Sequence, residues 1–138
     1  MQNALIKPKV ILLNPPGKYR YLRDYYCSHI SKARYYWAPI DLIILQAQLK
    51  SDFDVVFIDG ILDQMSFDSC IQKIKSEGDI HALIFLTGGA SWKNDQLFIN
   101  ELLRAYQQKL RFLLIGAGDV FLTGGYKVLA EIPPIDAA

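Results

Sequence analysis

The stretch that decides the fold is Val10-Ile-Leu-Leu-Asn-Pro-Pro-Gly17, an apolar run that ends in a turn. Unbroken apolarity over so short a run is typical of a strand that is buried on both faces of a parallel sheet. In an open parallel α/β sheet, ligands bind beyond the carboxyl ends of the strands, where the strand order reverses, and the first strand usually lies there. We therefore expect a ligand site beside Asn14, Pro15, Pro16 and Gly17.

The rest of the chain alternates apolar strands with helical patterns. Further strands are predicted at residues 54–58, 82–86 and 111–115, helices at 39–49, 66–75, 93–108 and 125–130, and the opening of a fifth strand at 135–138. Such alternation builds a parallel sheet with right-handed crossovers. We predict a single Rossmann-like domain over residues 1–138, of the α/β class. Its expected architecture is a flavodoxin-like doubly wound parallel sheet with strand order 2-1-3-4 and a truncated fifth strand.

Composition places the chain among ordinary globular domains. It has 138 residues, is 51% hydrophobic and 21% charged, and carries a formal net charge of +1, which excludes a disordered tail and a generic polyanion binder. The two cysteines, Cys27 and Cys70, are too few for a disulfide framework or a metal cluster. No signal peptide is recognisable at the polar N-terminus, and no apolar run approaches the roughly 18–20 residues that cross a bilayer. The sequence thus predicts a cytoplasmic protein that does not enter membranes.

Small or turn-forming residues follow each of the four predicted strands. The carboxyl ends of parallel strands share one edge of the sheet, and glycines let a backbone approach a ligand closely. Helix N-termini behind such turns favour anions and polar acceptors. Besides the turn after the first strand, the predicted cofactor-binding residues are Asp59, Gly60, Thr87, Gly88, Gly89, Ala90, Ser91, Gly116, Ala117, Gly118 and Asp119.

Residues suited to catalysis are missing from this predicted cleft. His29 falls in the loop behind the first strand with no acidic partner readable from the sequence, and His81 precedes a strand, at the opposite edge of the sheet. The sequence has neither a cluster of metal ligands nor a G-x-S-x-G nucleophile turn. Gly116-Ala-Gly118 begins like a dinucleotide fingerprint, but Phe121 replaces the third glycine. We therefore predict no catalytic residue and no metal ligand, and a binding function rather than a catalytic one.

A long aromatic and basic segment, residues 18–37, separates the first strand from the first helix. It holds five basic residues against one acidic residue and six of the eight tyrosines, whereas ordinary crossovers use about 2–6 residues. One interpretation is a folded loop whose tyrosines pack on the core. The other is a lid over a large ligand, with Tyr19 and Tyr21 in contact with the cofactor.

Three parts of the sequence, taken together, resemble the N-terminal cobalamin-binding domain of the B12-dependent radical SAM enzymes. They are the strand ending in Asn14-Pro-Pro-Gly17, the proline-led helix within residues 37–49, and the strand that ends at Asp59. The resemblance covers nearly the whole chain and implies a flavodoxin-like module that holds cobalamin over the carboxyl ends of its strands. It also implies that the turn at residues 14–17 approaches the corrin, and that the turns at residues 87–91 and 116–119 line the pocket of the nucleotide tail.

This sequence lacks two motifs that related cobalamin proteins carry, and their absence limits what the resemblance implies. Methionine-synthase-like cobalamin domains carry Asp-x-His-x-x-Gly after the first strand, whereas this chain reads Asn14-Pro-Pro-Gly-Lys-Tyr19, with no histidine to ligate cobalt. The Cys-x-x-x-Cys-x-x-Cys motif that holds a 4Fe-4S cluster is absent too. S-adenosylmethionine and the cluster would therefore belong to a radical SAM catalytic domain, in cis or in trans. This chain alone is not expected to be catalytic.

Two other functions compete with cobalamin binding. The chain could be a non-catalytic Rossmann-like domain that docks a partner or single-stranded nucleic acid through residues 18–37, because basic residues interleaved with aromatic ones stack bases. It could also be a small enzyme or a binder of another nucleotide, which the lack of a base or nucleophile disfavours. Whichever function holds, the edge left open by the truncated fifth strand predicts a tendency to dimerise there.

Overall fold

The computed structural model describes residues 6–24, 28–32, 35–132 and 134–138. Tyr25, Tyr26, Cys27 and Arg34 of the aromatic segment lie outside the described residues. In chain order the elements are β1 (Lys9–Asn14), β2 (Tyr21–Arg23), β3 (Ser28–Ile30), α1 (Ile40–Leu49), β4 (Asp54–Asp59), α2 (Phe67–Ser76), β5 (Ala82–Leu86), α3 (Trp92–Ala105), β6 (Leu113–Ala117), α4 (Asp119–Gly124) and α5 (Tyr126–Ala130).

A four-stranded parallel sheet in the order β4-β1-β5-β6 forms the centre of the molecule. This order confirms the predicted 2-1-3-4 arrangement, and with helices beside the sheet it is a flavodoxin-like or Rossmann-like α/β fold. Leu13 of β1 lies between Ile58 of β4 and Phe85 of β5. The ends of β1, β4 and β5 are therefore level at the carboxyl edge of the sheet.

Alternating side chains of the strands divide the core between the two faces of the sheet. Ile11, Leu13, Leu83 and Phe85 point to one face and pack with α2 and α3. Val10, Leu12 and Leu86 are among the side chains on the other face, where they pack with Leu42, Leu45 and Leu49 of α1. Both faces are thus hydrophobic, which explains the unbroken apolarity of β1.

Near the end of the chain one predicted boundary is wrong and one helix was not predicted. The fourth sheet strand is Leu113–Ala117 rather than 111–115, so Gly116 and Ala117 pair with β5 and do not belong to the turn behind it. A side chain at position 116 would clash with the ring of Phe121, so glycine is required inside this strand. The predicted helix 125–130 agrees with α5, but α4 before it, whose C-cap residue Gly125 has a φ of +54°, was not predicted.

The last residues of the chain lie along the outer edge of β6. Asp136 N–H donates to the carbonyl of Leu114 at 2.8 Å, and Gly116 N–H donates to the carbonyl of Ala137 at 2.9 Å. The bridge between Ile115 and Ala137 is parallel, as a fifth strand of the sheet would be. These bonds agree with the predicted opening of a fifth strand and cover part of the edge that was expected to be exposed.

The aromatic segment contains a small antiparallel hairpin that the sequence did not predict. β2 and β3 pair through Tyr21 with Ile30 and Arg23 with Ser28. Within the part of the chain that the structure describes, no helix is long and apolar enough to cross a membrane.

Candidate functional site

A fully buried arginine from the hairpin lies at the carboxyl edge of the sheet. Nη1 of Arg23 donates to Asn14 Oδ1 and to the carbonyl of Pro15, both at 2.9 Å. On its other side, Nη2 donates to Asp95 Oδ1 at 2.6 Å, and Nε donates to Asp95 Oδ2 at 3.2 Å and to Ser91 Oγ at 3.0 Å. The side chains of Arg23 and Asp95 are both 0% exposed. The guanidinium therefore fixes the hairpin to β1 and α3.

Asp95, in the first turn of α3, collects the donors around this arginine. Its Oδ2 accepts from the hydroxyls of Ser91 at 2.6 Å and Thr87 at 2.7 Å, and its Oδ1 also accepts from Asn94 Nδ2 at 3.1 Å. Because each buried polar group has a partner, this network stabilises the edge instead of leaving donors for a ligand. Asn14, Thr87 and Ser91, which the sequence predicts to bind the cofactor, are brought together here but contact one another through Arg23 and Asp95.

A second branch of the network crosses to the end of β4. Asn14 Nδ2 donates to Asp59 Oδ1 at 2.9 Å, and the same oxygen accepts from the backbone N–H groups of Ile61 and Leu62. Asp59 Oδ2 accepts a hydrogen bond from the Tyr36 hydroxyl. Burial, and then this bond to a carboxylate, raise the pKa of Tyr36 well above its usual value. Tyr36 thereby attaches the segment that leads into α1 to the same edge.

The turn behind β5 has one closed side and one open side. Ser28 of β3 lies against Gly88, where any added side chain would clash with its hydroxyl, and Ser28 Oγ accepts from Ala90 N–H at 3.0 Å. By contrast, nothing lies within 4 Å of the position that a Cβ on Gly89 would take, and Ala90 is exposed. Gly89 and Ala90 are therefore free to approach a ligand.

The turn behind β6 supplies a buried acceptor without a donor. Gly118 has a φ of +130°, and a Cβ there would clash with the carbonyl of Thr87, so this turn requires glycine. The next residue, Asp119, has an Oδ1 atom that is buried and lacks a hydrogen-bond partner, alone among the buried side-chain polar atoms of the described residues. This oxygen is 3.6 Å from the Cβ position of Gly88, so the orphan acceptor lies between the turns behind β5 and β6.

The turn behind β1 is packed against its neighbours. Gly60 leaves room for the backbone of Pro16, and Gly17 leaves room for the ring of Tyr21. Burial raises the pKa of Tyr21, with a further contribution from the nearby charge of Asp95. Tyr19 is 48% exposed and meets the Tyr21 ring edge to face. Of the two tyrosines predicted to touch the cofactor, Tyr19 is thus the accessible one.

Three shallow grooves surround the hairpin at this edge. Two of them, of about 490 and 260 Å³, lie on either side of Lys18 and Tyr19 and share Met65 as a wall. The third, also about 490 Å³, lies beside His29, Lys32 and Ala90. The two larger grooves lie in the lower half of the range of about 300–1,000 Å³ that is usual for small-molecule sites, and the smallest lies below that range. A corrin-sized ligand would have to lie across the hairpin or displace it.

Sequence reasoning missed the residues that hold this edge together. Arg23 and Asp95 were invisible because they lie 72 positions apart in the chain. Ser28 belongs to a hairpin that carries no alternating pattern, and Tyr36 lies outside any strand, in the segment before α1. The available signal was the aspartate in the first turn of the helix behind the Thr-Gly-Gly-Ala-Ser turn, but the segment 18–37 offers three arginines as its partner. No group of three or more histidine, cysteine, aspartate or glutamate residues in the described ranges could hold a metal ion.

The chain was compared with protein-family models, with curated proteins and with solved structures, and none of them matches it.

Proposed function

We propose that this chain is the cobalamin-binding module of a B12-dependent radical SAM enzyme, holding the corrin at the carboxyl edge of its sheet without a histidine ligand to cobalt. One observation carries the proposal. The buried Oδ1 of Asp119 lacks a donor and lies between two glycine turns at the edge where such folds bind ligands. An unpaired buried acceptor costs about 1–3 kcal/mol, which an amide or hydroxyl donor of the cofactor would recover.

The residues at this edge fall into two groups with different roles in the proposal. The inner group, which includes Asn14, Thr87 and Ser91, is occupied by Arg23 and positions the hairpin. The outer group would contact the cofactor, and its members are Tyr19, Gly89, Ala90 and Asp119. When bound, the cobalamin supplies a cobalt centre that can carry a methyl group. The chain itself binds and orients this group, and the chemistry belongs to a partner catalytic domain in cis or in trans.

Docking of nucleic acid through residues 18–37 receives less support from the geometry. Arg23 is buried and Tyr21 is half-buried against Gly17, so a basic and an aromatic residue of that segment are turned inward. A labelled oligonucleotide distinguishes this function from cobalamin binding.

Binding of hydroxocobalamin tests the proposal directly. We expect the purified chain, mixed with hydroxocobalamin and passed over a gel-filtration column, to elute with corrin absorbance, and a labelled oligonucleotide to elute separately. Asp119→Ala should weaken cobalamin binding about tenfold, the equivalent of about 1.4 kcal/mol. Asp79→Ala, an exposed aspartate at the opposite edge of the sheet, makes the same charge change and should bind normally. A colourless protein peak would contradict the proposal.

The absence of a cobalt ligand has its own test. His29 lines the groove beside Ala90, so it is the histidine to examine. The electron paramagnetic resonance spectrum of bound cob(II)alamin should show no nitrogen coupling from the protein and should be identical for His29→Ala. Coupling that disappears in the variant would show that the hairpin provides a ligand, while cobalamin binding itself would still stand.

A further inference from the structure

A groove of about 410 Å³ lies at the amino edge of the sheet, opposite the candidate cofactor site. Its walls are the end of α2 at Lys75, the turn at residues 78–80 that leads to β5, and the connection from α3 to β6. Buried Ile80 and the half-buried rings of Tyr106 and Phe112 form its apolar side. This amino-edge groove has the size of a small-molecule site, and such sites combine apolar walls with a few convergent polar groups.

The polar side of the amino-edge groove is rich in cations and poor in anions. Its cationic side chains are Lys75, Lys109 and Arg111. Among the described residues that line it, Asp79 is the one carboxylate. No ion pair within the described part of the chain joins Asp79 to any of these cations. The groove therefore carries an excess of positive charge, which favours an anionic ligand.

Ordinary roles account for only part of this charge. Lys75 lies in the last turn of α2, where a cation complements the helix dipole, and its ammonium lies 5.4 Å from the centre of the Tyr106 ring. Lys109 and Arg111 lie past the last turn of α3, so the helix dipole does not explain them. Burial raises the pKa of Tyr106, so its hydroxyl stays protonated and adds a neutral donor to the groove.

The connection that carries Lys109 and Arg111 has an uncommon backbone conformation. Gln107 and Gln108 have φ values of +55° and +65°, which residues other than glycine seldom adopt. Their N–H groups each donate to a carbonyl in the last turn of α3 at 2.9 Å. Residues held in this way cluster at ligand sites. Because the backbone of the connection is already ordered, a ligand would not pay the full entropic cost of ordering it.

We infer that the amino-edge groove binds a phosphate monoester whose remaining part is apolar or aromatic, which is the chemistry of a nucleoside monophosphate. A phosphate monoester carries a charge of about −1.5 to −2 at pH 7, which matches three cations against one carboxylate. The Arg111 guanidinium can bind two phosphate oxygens at once, while the two lysines act as point charges. Ile80 and the Tyr106 ring would cover the attached group. The groove is separate from the carboxyl edge and does not depend on cobalamin binding.

Binding of AMP tests the inference. In isothermal titration calorimetry, AMP should bind the purified chain one to one with a Kd of about 1 mM or lower. Inorganic phosphate lacks the apolar part and adenosine lacks the phosphate, so each should bind at least about tenfold more weakly. In nuclear magnetic resonance spectra, AMP should shift the amide signals of residues 78–80 and 105–112 and leave those of residues 87–91 unchanged.

Two variants show whether the groove itself attracts the nucleotide. Arg111→Gln should weaken AMP binding about tenfold. Lys73→Gln is the matched control, because Lys73 is exposed on the same helix as Lys75 but does not line the groove, and it should leave the AMP affinity unchanged. Both positions are exposed, so circular dichroism should show both variants folded.

Several outcomes would overturn the inference. The first is that AMP does not bind, and the second is that adenosine or inorganic phosphate binds as tightly as AMP. The third is that Arg111→Gln and Lys73→Gln have equal affinities, because general surface charge would then attract the nucleotide. The fourth is that AMP shifts signals away from the amino-edge groove.

Discussion

Arg23 is the residue on which most contacts at the carboxyl edge converge. It makes five hydrogen bonds that join the hairpin to β1 and α3, and its partner Asp95 is equally buried. Removing one member of such a pair leaves the other charge buried without compensation, which costs more than the pair itself contributes to stability.

Arg23→Ala should therefore lower the free energy of unfolding by about 3–5 kcal/mol, measured by urea denaturation. Arg104→Ala is the matched control. Its ion pair with Glu101 has the same 2.6 Å separation, but the two side chains are 65% and 48% exposed, so its loss should cost less than about 1 kcal/mol. Equal losses in the two variants would show that burial of Arg23 does not determine its contribution.

Cys70 offers a test of packing in the core. Burial raises the pKa of its thiol to about 12, so the thiol stays protonated and shielded. In a Cys27→Ser background, a thiol reagent at pH 8 should leave the native protein unlabelled and label it fully in urea. Because the folded pKa is raised, this group's contribution to stability is complete below the unfolded pKa, about 8.5, and is lost as the pH rises from there towards 12. Rapid labelling of the native protein would show that α2 is not packed as described.

At the scale of the elements, the turns behind the strands differ in what they require. Gly118 has a positive φ and lies against the carbonyl of Thr87, whereas Gly89 faces open space. Gly118→Ala should lower the free energy of unfolding by about 1–3 kcal/mol from backbone strain alone. Gly89→Ala should leave the free energy of unfolding nearly unchanged. Thermal unfolding of the two variants measures the difference. Both make the same chemical change, one in the turn behind β5 and the other in the turn behind β6. Similar melting temperatures would contradict the close approach of β6 to β5.

Helix α2 starts where the sequence predicts, because its start signal is local. Ser66 Oγ accepts from Ser69 N–H at 3.0 Å, as expected for a capping serine. Ser66→Ala should cost about 1 kcal/mol. Ser76→Ala, at the other end of the same helix, removes only a bond to the carbonyl of Lys73 and should cost less. If urea denaturation shows the two changes to be equal, the cap does not stabilise this helix.

The elements show what the sequence could and could not predict. The four core strands were found because apolar runs such as that at Val10 report burial directly, and their order follows from right-handed crossovers. The hairpin was missed because each of its strands has three residues, too few for an alternating pattern. The boundary of β6 was misplaced because Gly116 and Ala117 read as a turn, while their pairing with β5 and the close packing of Gly116 against Phe121 are visible only in three dimensions.

At the scale of the whole molecule, the predicted site residues gather at one edge because the sheet is parallel. What could not be predicted is how that edge is filled. Whether Asn14 and Ser91 face a ligand or an arginine of the same chain depends on where residues 18–37 fold, and no local pattern encodes a contact between Arg23 and Asp95. The polar residues of the predicted cleft thus divide into an inner network and an outer surface, and only the outer surface is open to a cofactor.

The outer edge of β6 gives the last prediction. β6 is paired on its outer side by residues 135–137, which share four hydrogen bonds with it, including one from Leu114 N–H to Asp136 Oδ2 at 2.8 Å. The side chain of Ile135 also packs on the core. Removing residues 135–138 should lower the free energy of unfolding by about 2–4 kcal/mol, from the lost apolar burial and hydrogen bonds.

The same truncation exposes an unpaired edge, which favours strand-to-strand association, so it should also speed aggregation at 37 °C, followed by light scattering. Deleting Ala138 alone is the control, because none of the four bonds involves it, and it should change neither quantity. A truncated chain as stable as the full one would mean that the sheet ends at β6 and that the fifth strand contributes nothing to the fold.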